Sequence, residues 1–85
     1  MSFRLTNYVD IIEEEGDVYI IHHSNGKVLK ITDKMKDLLY FLQENKSELA
    51  IKEFLVSTGT ENKEVQEIYE QIILTLTKYS IIKTV

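Results

Sequence analysis

The chain has 85 residues, 44% hydrophobic and 28% charged, and its ten basic against fourteen acidic side chains leave a net charge of −4. That length bounds it to one domain spanning residues 1–85, with a core burying only about 60–65% of the unfolded surface, and the balanced composition is not that of a disordered chain. Cysteine is absent, which excludes disulfides and thiolate zinc sites, and the acidic balance argues against a nucleic-acid binder, which needs Lys and Arg to neutralise phosphates.

The amino-terminal stretch MSFRLTNYVD has no apolar core long enough for a signal peptide. No apolar run approaches the ~20 residues that cross a bilayer. The expectation is a cytoplasmic protein with no membrane contact.

Three strand-like segments come first. Residues 8–13 (YVDIIE) mix β-branched and aromatic side chains with partial alternation. The acidic Glu13-Glu14-Glu15-Gly16-Asp17 follows as turn material, with Gly16 free to take a positive φ. Residues 18–23 (VYIIHH) read as the strongest strand, apolar on both faces over their first four positions. Asn25-Gly26 is the pair preferred in a two-residue type I′ hairpin turn. Residues 27–31 (KVLKI) form the third strand, with Leu29 and Ile31 on one face and Val28 and Lys30 on the other.

The period then changes from 2 to 3.6. Thr32 and Asp33 can cap a helix start. Met35, Leu38, Leu39 and Leu42 follow at i, i+3, i+4 and i+7 as one apolar stripe, widened by Tyr40 and Phe41, and the helix is expected to stop near Asn45. Asn45 or Ser47 starts a second helix with Ile51 and Leu55 on a narrow apolar face, and Gly59 suits its C-terminal cap. The third helix is the longest, roughly residues 62–80. Val65, Ile68, Tyr69, Ile72, Ile73, Leu76 and Tyr79 fall on one broad stripe, and Leu74 points the other way. The tail 81–85 (IIKTV) is apolar enough to pack back as a short extended piece. A three-stranded meander cannot bury its apolar face alone, so three helices laid against it complete an α+β domain. The expected class is a three-stranded antiparallel sheet followed by three helices, with a helical half resembling a winged helix-turn-helix.

Chemistry is sparse. His22 and His23 are adjacent on a strand and point to opposite faces, so one metal ion cannot easily take both. The acidic run 13–17 lacks the alternating Asp/Asn pattern and distal Glu of a calcium loop. Ser24 beside His23 has no evident third partner for nucleophilic catalysis. The glycines are dispersed at 16, 26 and 59, which makes no phosphate loop. No cofactor, metal site or catalytic residue is expected, and the chain reads as a non-enzyme.

Binding remains. In a simple meander residues 27–31 form an edge strand, whose unpaired N–H and C=O groups are either protected by charge or offered to a guest strand. Lys27, Lys30, Lys34 and Lys36 cluster here in an otherwise acidic chain, a concentration that can steer an acidic partner. The third helix is apolar at both margins of its stripe, with Ile68 on one side and Ile73 on the other, and such a margin beside a sheet edge makes a groove.

Strand 18–21, the turn Ser24-Asn25-Gly26-Lys27, the strand Val28-Leu29-Lys30-Ile31 running into a capped helix, the helix 35–42, a short helix around Ile51-Lys52-Glu53-Phe54-Leu55 and a final amphipathic helix through Tyr79 resemble the PqqD-like family, also called the RiPP precursor peptide recognition element. The likeness spans residues 8–82. It implies binding of the leader segment of a ribosomally made precursor peptide, and its delivery, as a peptide chaperone, to a modifying enzyme or leader peptidase of natural product biosynthesis. The leader would add as a strand to the third strand, in a groove closed by the third helix. Carried over by position, this implicates Lys27, Val28, Leu29, Lys30 and Ile31 on the strand, and Ile68, Gln71, Ile72 and Thr75 on the helix. The opposite margin around Ile73 is the alternative.

Two rivals stand beside this. A DNA-binding winged helix would place the third helix in the major groove, but its polar side carries Glu64, Gln66, Glu67, Glu70 and Gln71, and the hairpins precede all the helices rather than following the third. A generic protein–protein adaptor or dimerisation module would use the same strand edge.

Overall fold

A computed structural model describes residues 1–85. The order is β1 (Ser2–Leu5), β2 (Val9–Glu14), β3 (Asp17–His22), β4 (Lys27–Ile31), α1 (Asp33–Phe41), β5 (Lys46–Ser47), α2 (Glu48–Ser57), α3 (Val65–Lys78) and β6 (Ile82–Thr84). The class is α+β with antiparallel pairing throughout, as expected from the sequence, but it holds two sheets rather than one. The first is the meander β2-β3-β4. The second, in the order β5-β1-β6, joins the two chain ends.

The second sheet is the element the sequence reading lacked. β1 alternates strictly, with Phe3 and Leu5 inward and buried, but it has only four residues. Its main partner is the tail, in the register Phe3↔Thr84, Arg4↔Lys83 and Leu5↔Ile82. The expected extended tail is thus a strand whose partner lies at the far end of the sequence. β5 flanks β1 on the other side, with Ser2 opposite Ser47 and Phe3 opposite Lys46.

Local signals account for most helix boundaries. The Thr32 hydroxyl accepts from the Met35 N–H at 3.1 Å and starts α1. The helix stops at Phe41, short of Asn45. A continuing helix would need the Leu42 carbonyl for residue 46, and that carbonyl instead accepts from the Leu5 N–H at 2.7 Å. Ser47, not Asn45, caps α2, its hydroxyl accepting from Ala50 N–H at 3.1 Å. Gly59 follows the last turn of α2 with φ 117°, and Thr60 N–H reaches the Leu55 carbonyl at 2.9 Å, closing the helix in a Schellman arrangement. α3 begins at Val65, three residues later than expected, because residues 61–64 form a separate turn. It ends in a second Schellman arrangement. Ile81 N–H bonds the Leu76 carbonyl at 2.9 Å across Ser80, which takes φ 57° where glycine is usual.

The type I′ turn is also relocated. Glu15 and Gly16 have φ 53° and 84° and join the paired residues Glu14 and Asp17, the signature of that turn. Asn25-Gly26 sits instead in a four-residue loop between His22 and Lys27. Only Gly26 has a positive φ there, and its N–H bonds the His22 carbonyl at 2.8 Å. The Asn25 side chain is committed to the Lys27 N–H at 2.9 Å. That Asx-type bond satisfies the loop without a left-handed asparagine.

Leu39, Leu42 and Ile51 are fully buried at the centre, with Phe3, Leu5, Ile82 and Leu76 around them. The α1 stripe read from the sequence, Leu38, Leu39 and Leu42, is therefore the middle of the core. Tyr69 and Leu76 are the buried points of α3, and Leu74 is 71% exposed, on the opposite side as expected.

Candidate functional site

β4 pairs with β3 alone. Its other edge is open. The I′ turn makes Glu14–Asp17 a hydrogen-bonded pair, and antiparallel ladders alternate bonded and non-bonded pairs. With the observed register, Tyr19 and Ile21 therefore aim their backbone groups at β2. Val18 and Ile20 aim theirs at β4, where they face Ile31 and Leu29. The N–H and C=O groups of Val28 and Lys30 consequently point outward from the sheet edge, with no strand beside them.

The side chains of β4 divide as the period of two requires. Leu29 and Ile31 lie opposite the buried Ile20 and Val18, on the face turned to the core, and Val28 and Lys30 lie opposite Ile21 and Tyr19 on the other face. Val28 is 58% exposed and Leu29 40%. The edge thus carries both lysines, as guarded edges do, and open apolar side chains at Val28 and Leu29, as pairing edges do.

Two depressions flank this edge. The first, a small one of about 20 Å³, lies between Lys27 and Leu29 of β4, the buried His22, and Tyr79 and Ile81 at the carboxyl end of α3. The second, of about 190 Å³, lies between Thr32, Lys34 and Met35 at the start of α1, Phe54 of α2, and Ile68 and Ile72 of α3. Ile68, Gln71, Ile72, Thr75 and Tyr79 recur at helical spacing, so they form one stripe along α3. Its two ends are fixed by the two depressions. Gln71 and Thr75 are exposed along it. Ile73, the alternative margin, sits elsewhere, with Phe3 and Thr84 of the second sheet. The structure therefore brings Ile68 and Ile72 to the α1 side, next to the exit of β4, and turns Ile73 away.

His22, Tyr79, Thr32 and Met35 also line this region and were not assigned to it from the sequence. Tyr79 closed the helical stripe, and that was its only signal. Adjacent on a strand, His22 and His23 are expected to sit one partly packed and one outward, and His22 is the packed one. It is a satisfied histidine of the inner face. Its Nε2 lies 3.2 Å from the Ser80 carbonyl oxygen and its Nδ1 lies 2.8 Å from Ser24 Oγ. His23 faces the opposite way and pairs with Asp10 at 2.6 Å. No group of three or more His, Asp or Glu side chains converges anywhere in the chain.

The basic cluster of the sequence reading splits in two. Lys30 bridges to Asp17 at 3.3 Å, and Lys36 to Glu13 at 3.0 Å and Asp33 at 3.9 Å. The hydrogen bond from Lys36 to the Glu13 carboxylate holds the ammonium above the usual lysine range, with added attraction from Asp33 and Asp37. Lys27 and Lys34 have no carboxylate within bridging distance and mark the two ends of the β4 edge.

No protein-family model and no curated protein sequence matches this chain. Among solved structures, its fold is similar to that of lasso peptide synthetase B1 complexed with the leader peptide, with a TM-score of 0.75 over 96% of this chain and 98% of that one. The sequences are 14% identical, so the likeness is one of fold.

Proposed function

We propose that this chain is a non-catalytic peptide-binding domain of the PqqD-like, or RiPP recognition element, kind. It takes the leader segment of a ribosomally made precursor as an extra strand on β4, between that edge and the Ile68–Tyr79 stripe of α3. It then presents the bound precursor to a maturation enzyme, such as a leader peptidase or a radical enzyme. The observation that carries the reading is the open β4 edge, with unpartnered backbone groups at Val28 and Lys30 and exposed apolar side chains at Val28 and Leu29. The fold shared with a protein solved with a leader peptide supports it.

In this reading the backbone supplies sequence-tolerant pairing, and the depression beside Ile68 and Ile72 selects side chains. Ordering a disordered leader costs about 2–5 kcal/mol, so an apolar anchor in that depression must offset it. Lys27 and Lys34 steer an acidic leader toward the two ends of the edge. The exposed polar side of α3, with Glu64, Glu67 and Glu70, would repel phosphates and weighs against a DNA-binding role. No helix is long and apolar enough to cross a membrane, and we place the chain in the cytoplasm with its peptide partner.

The test is backbone NMR during titration with a synthetic leader peptide of a cognate precursor. Amide resonances of residues 27–31 and of Ile68, Gln71, Ile72 and Thr75 are expected to move together. If residues 27–31 stay still while others shift, strand addition at β4 is wrong. A stable dimer formed through β4 in sedimentation would favour the adaptor reading instead.

A further inference from the structure

Half of the ten basic side chains are already spent within the chain, since Lys30, Lys36, Lys46, Lys52 and Lys63 each bridge to a carboxylate. Of the other five, Lys34 marks one end of the β4 edge. The remaining four, Arg4, Lys27, Lys78 and Lys83, belong to segments that meet at the opposite end, around Ser80. The Ser80 carbonyl accepts from the Thr6 hydroxyl at 3.1 Å and lies 3.2 Å from His22 Nε2, which draws together the ends of β1, β3 and α3. Lys27 lines the small depression there with Tyr79 and Ile81. Lys78 closes α3, its ammonium 5.8 Å from the centre of the Tyr79 ring.

Arg4 and Lys83 stand directly opposite each other in the β1-β6 ladder. The bond from Thr6 N–H to the Ile81 carbonyl carries that ladder one pair further. Alternation then sets Arg4 and Lys83 on the same face as Thr6 and Ile81, one strand repeat, about 7 Å, beyond the depression. Like charges directly opposite in a ladder are unfavourable, and no carboxylate of the chain relieves this pair. The side-chain partner of Arg4 is the neutral Asn7 amide, whose oxygen lies 3.4 Å from the guanidinium. Lys78 has an internal role, since a cation complements the negative end of the α3 dipole. Arg4, half-buried, and Lys83, exposed, have no such role.

We propose that Arg4 and Lys83 form a carboxylate-binding subsite, which takes an Asp or Glu side chain of the precursor peptide just beyond its strand-forming part, at the Lys27 end of β4. The inference rests on the peptide-binding reading for the identity of the ligand, while the unrelieved charge pair is independent of it. A carboxylate seated between the two cations turns their repulsion into two attractions, and the planar guanidinium can hold it through paired N–H bonds. Lys27 and Lys78 flank the way from the β4 edge to this pair. An extended peptide covers the step from the depression in roughly two or three residues at about 3.3 Å each. Backbone pairing along β4 tolerates most sequences, so an acidic residue at a fixed distance from the paired segment discriminates between peptides. The net charge of −4 and the acidic side of α3 disfavour an extended polyanion and leave a single peptide carboxylate as the fitting ligand.

The experiment compares the full chain with the double variant Arg4→Gln/Lys83→Gln. Each is titrated with a synthetic leader peptide of a cognate precursor, and with the same peptide after every Asp and Glu is replaced by Asn and Gln. Fluorescence anisotropy at low salt reads affinity, and thermal unfolding reads stability. The variant is expected to bind the unmodified leader roughly three- to ten-fold more weakly and the neutralised leader as the wild type does. It should be at least as stable as the wild type, because the repulsion across the ladder is gone. An equal loss of affinity for both peptides, or a lowered melting temperature, assigns the pair a structural role and overturns the proposal. A variant that binds the unmodified leader within about two-fold of wild type overturns the subsite and leaves strand addition standing. If the wild type takes up no leader, the peptide reading falls, and a hexaglutamate probe decides the subsite by itself. Movement of the Arg4 and Lys83 side-chain NMR signals on adding it supports carboxylate binding, and stationary signals overturn it. Duplex DNA that moves the same signals at about 0.15 M salt overturns it too, since the pair would then be a general polyanion contact.

Discussion

Proline at Val28 separates strand addition from every other use of this surface. Register and turn geometry direct the Val28 N–H outward, away from β3. Proline there removes no native ladder bond, and edge strands accept proline when its missing donor faces solvent. Val28→Pro is therefore expected to fold, with thermal stability close to wild type. A guest strand loses one main-chain bond and keeps a buried carbonyl with no donor, which costs about 1–3 kcal/mol. That corresponds to a Kd raised roughly five- to 150-fold. Leu29→Pro is the contrasting control. Its N–H is directed at Ile20, which is 3% exposed, so the lost bond is internal and the variant should lose about 1–3 kcal/mol of stability. Fluorescence anisotropy with a labelled leader peptide reads the affinity, and urea unfolding reads the stability. Hydrogen exchange adds a residue-level check. Leader binding should slow exchange at the Val28 and Lys30 amides, whereas Leu29 and Ile31 are slow already. A folded Val28→Pro chain that binds leader within about two-fold of wild type, or a complex with no new protection at Val28 and Lys30, would refute strand addition at this edge.

Other outcomes follow from the same geometry. Lys27→Glu with Lys34→Glu should slow association with an acidic leader more than Lys30→Glu with Lys36→Glu, because Lys30 and Lys36 are already paired with carboxylates; stopped-flow rates at low salt check this. Leu39→Ala, at a position with no exposed surface, should cost roughly 2–5 kcal/mol in urea unfolding. Ser80→Gly relieves a left-handed φ of 57° while keeping the backbone bonds of the α3 terminus, and should stabilise the chain by at most about 1 kcal/mol. The hydrogen bond from Lys52 holds the Glu48 carboxyl below its usual range. Its stabilisation is present above the unfolded-state pKa and is lost as pH falls through the depressed folded value. Carbon-detected NMR titration should show that depression, and Lys52→Met should move Glu48 back toward the ordinary glutamate value.

The sequence by itself determined the meander, the three helices and their inward faces, because each is written in short-range periodicity: two in residues 18–31, 3.6 in the Leu38-Leu39-Leu42 and Tyr69–Leu76 stripes. It also determined which side chains of residues 27–31 share a face, since alternation fixes that without a partner. It misplaced the type I′ turn, because Asn25 can satisfy its loop through the Lys27 N–H and Glu15-Gly16 can adopt the turn without an asparagine. The second sheet was beyond local reading. β1 is four residues long, and what makes it a strand is Ile82–Thr84, brought alongside only when the core closes. Tertiary structure alone decided that the Ile68–Ile72 margin of α3 meets the α1 side while Ile73 meets β1 and β6, since a helix carries no local signal for its rotation about its axis once both margins are apolar. It likewise decided that Lys27 and Lys34 stay free while Lys30 and Lys36 are paired, because Asp17 and Glu13 reach them from other strands.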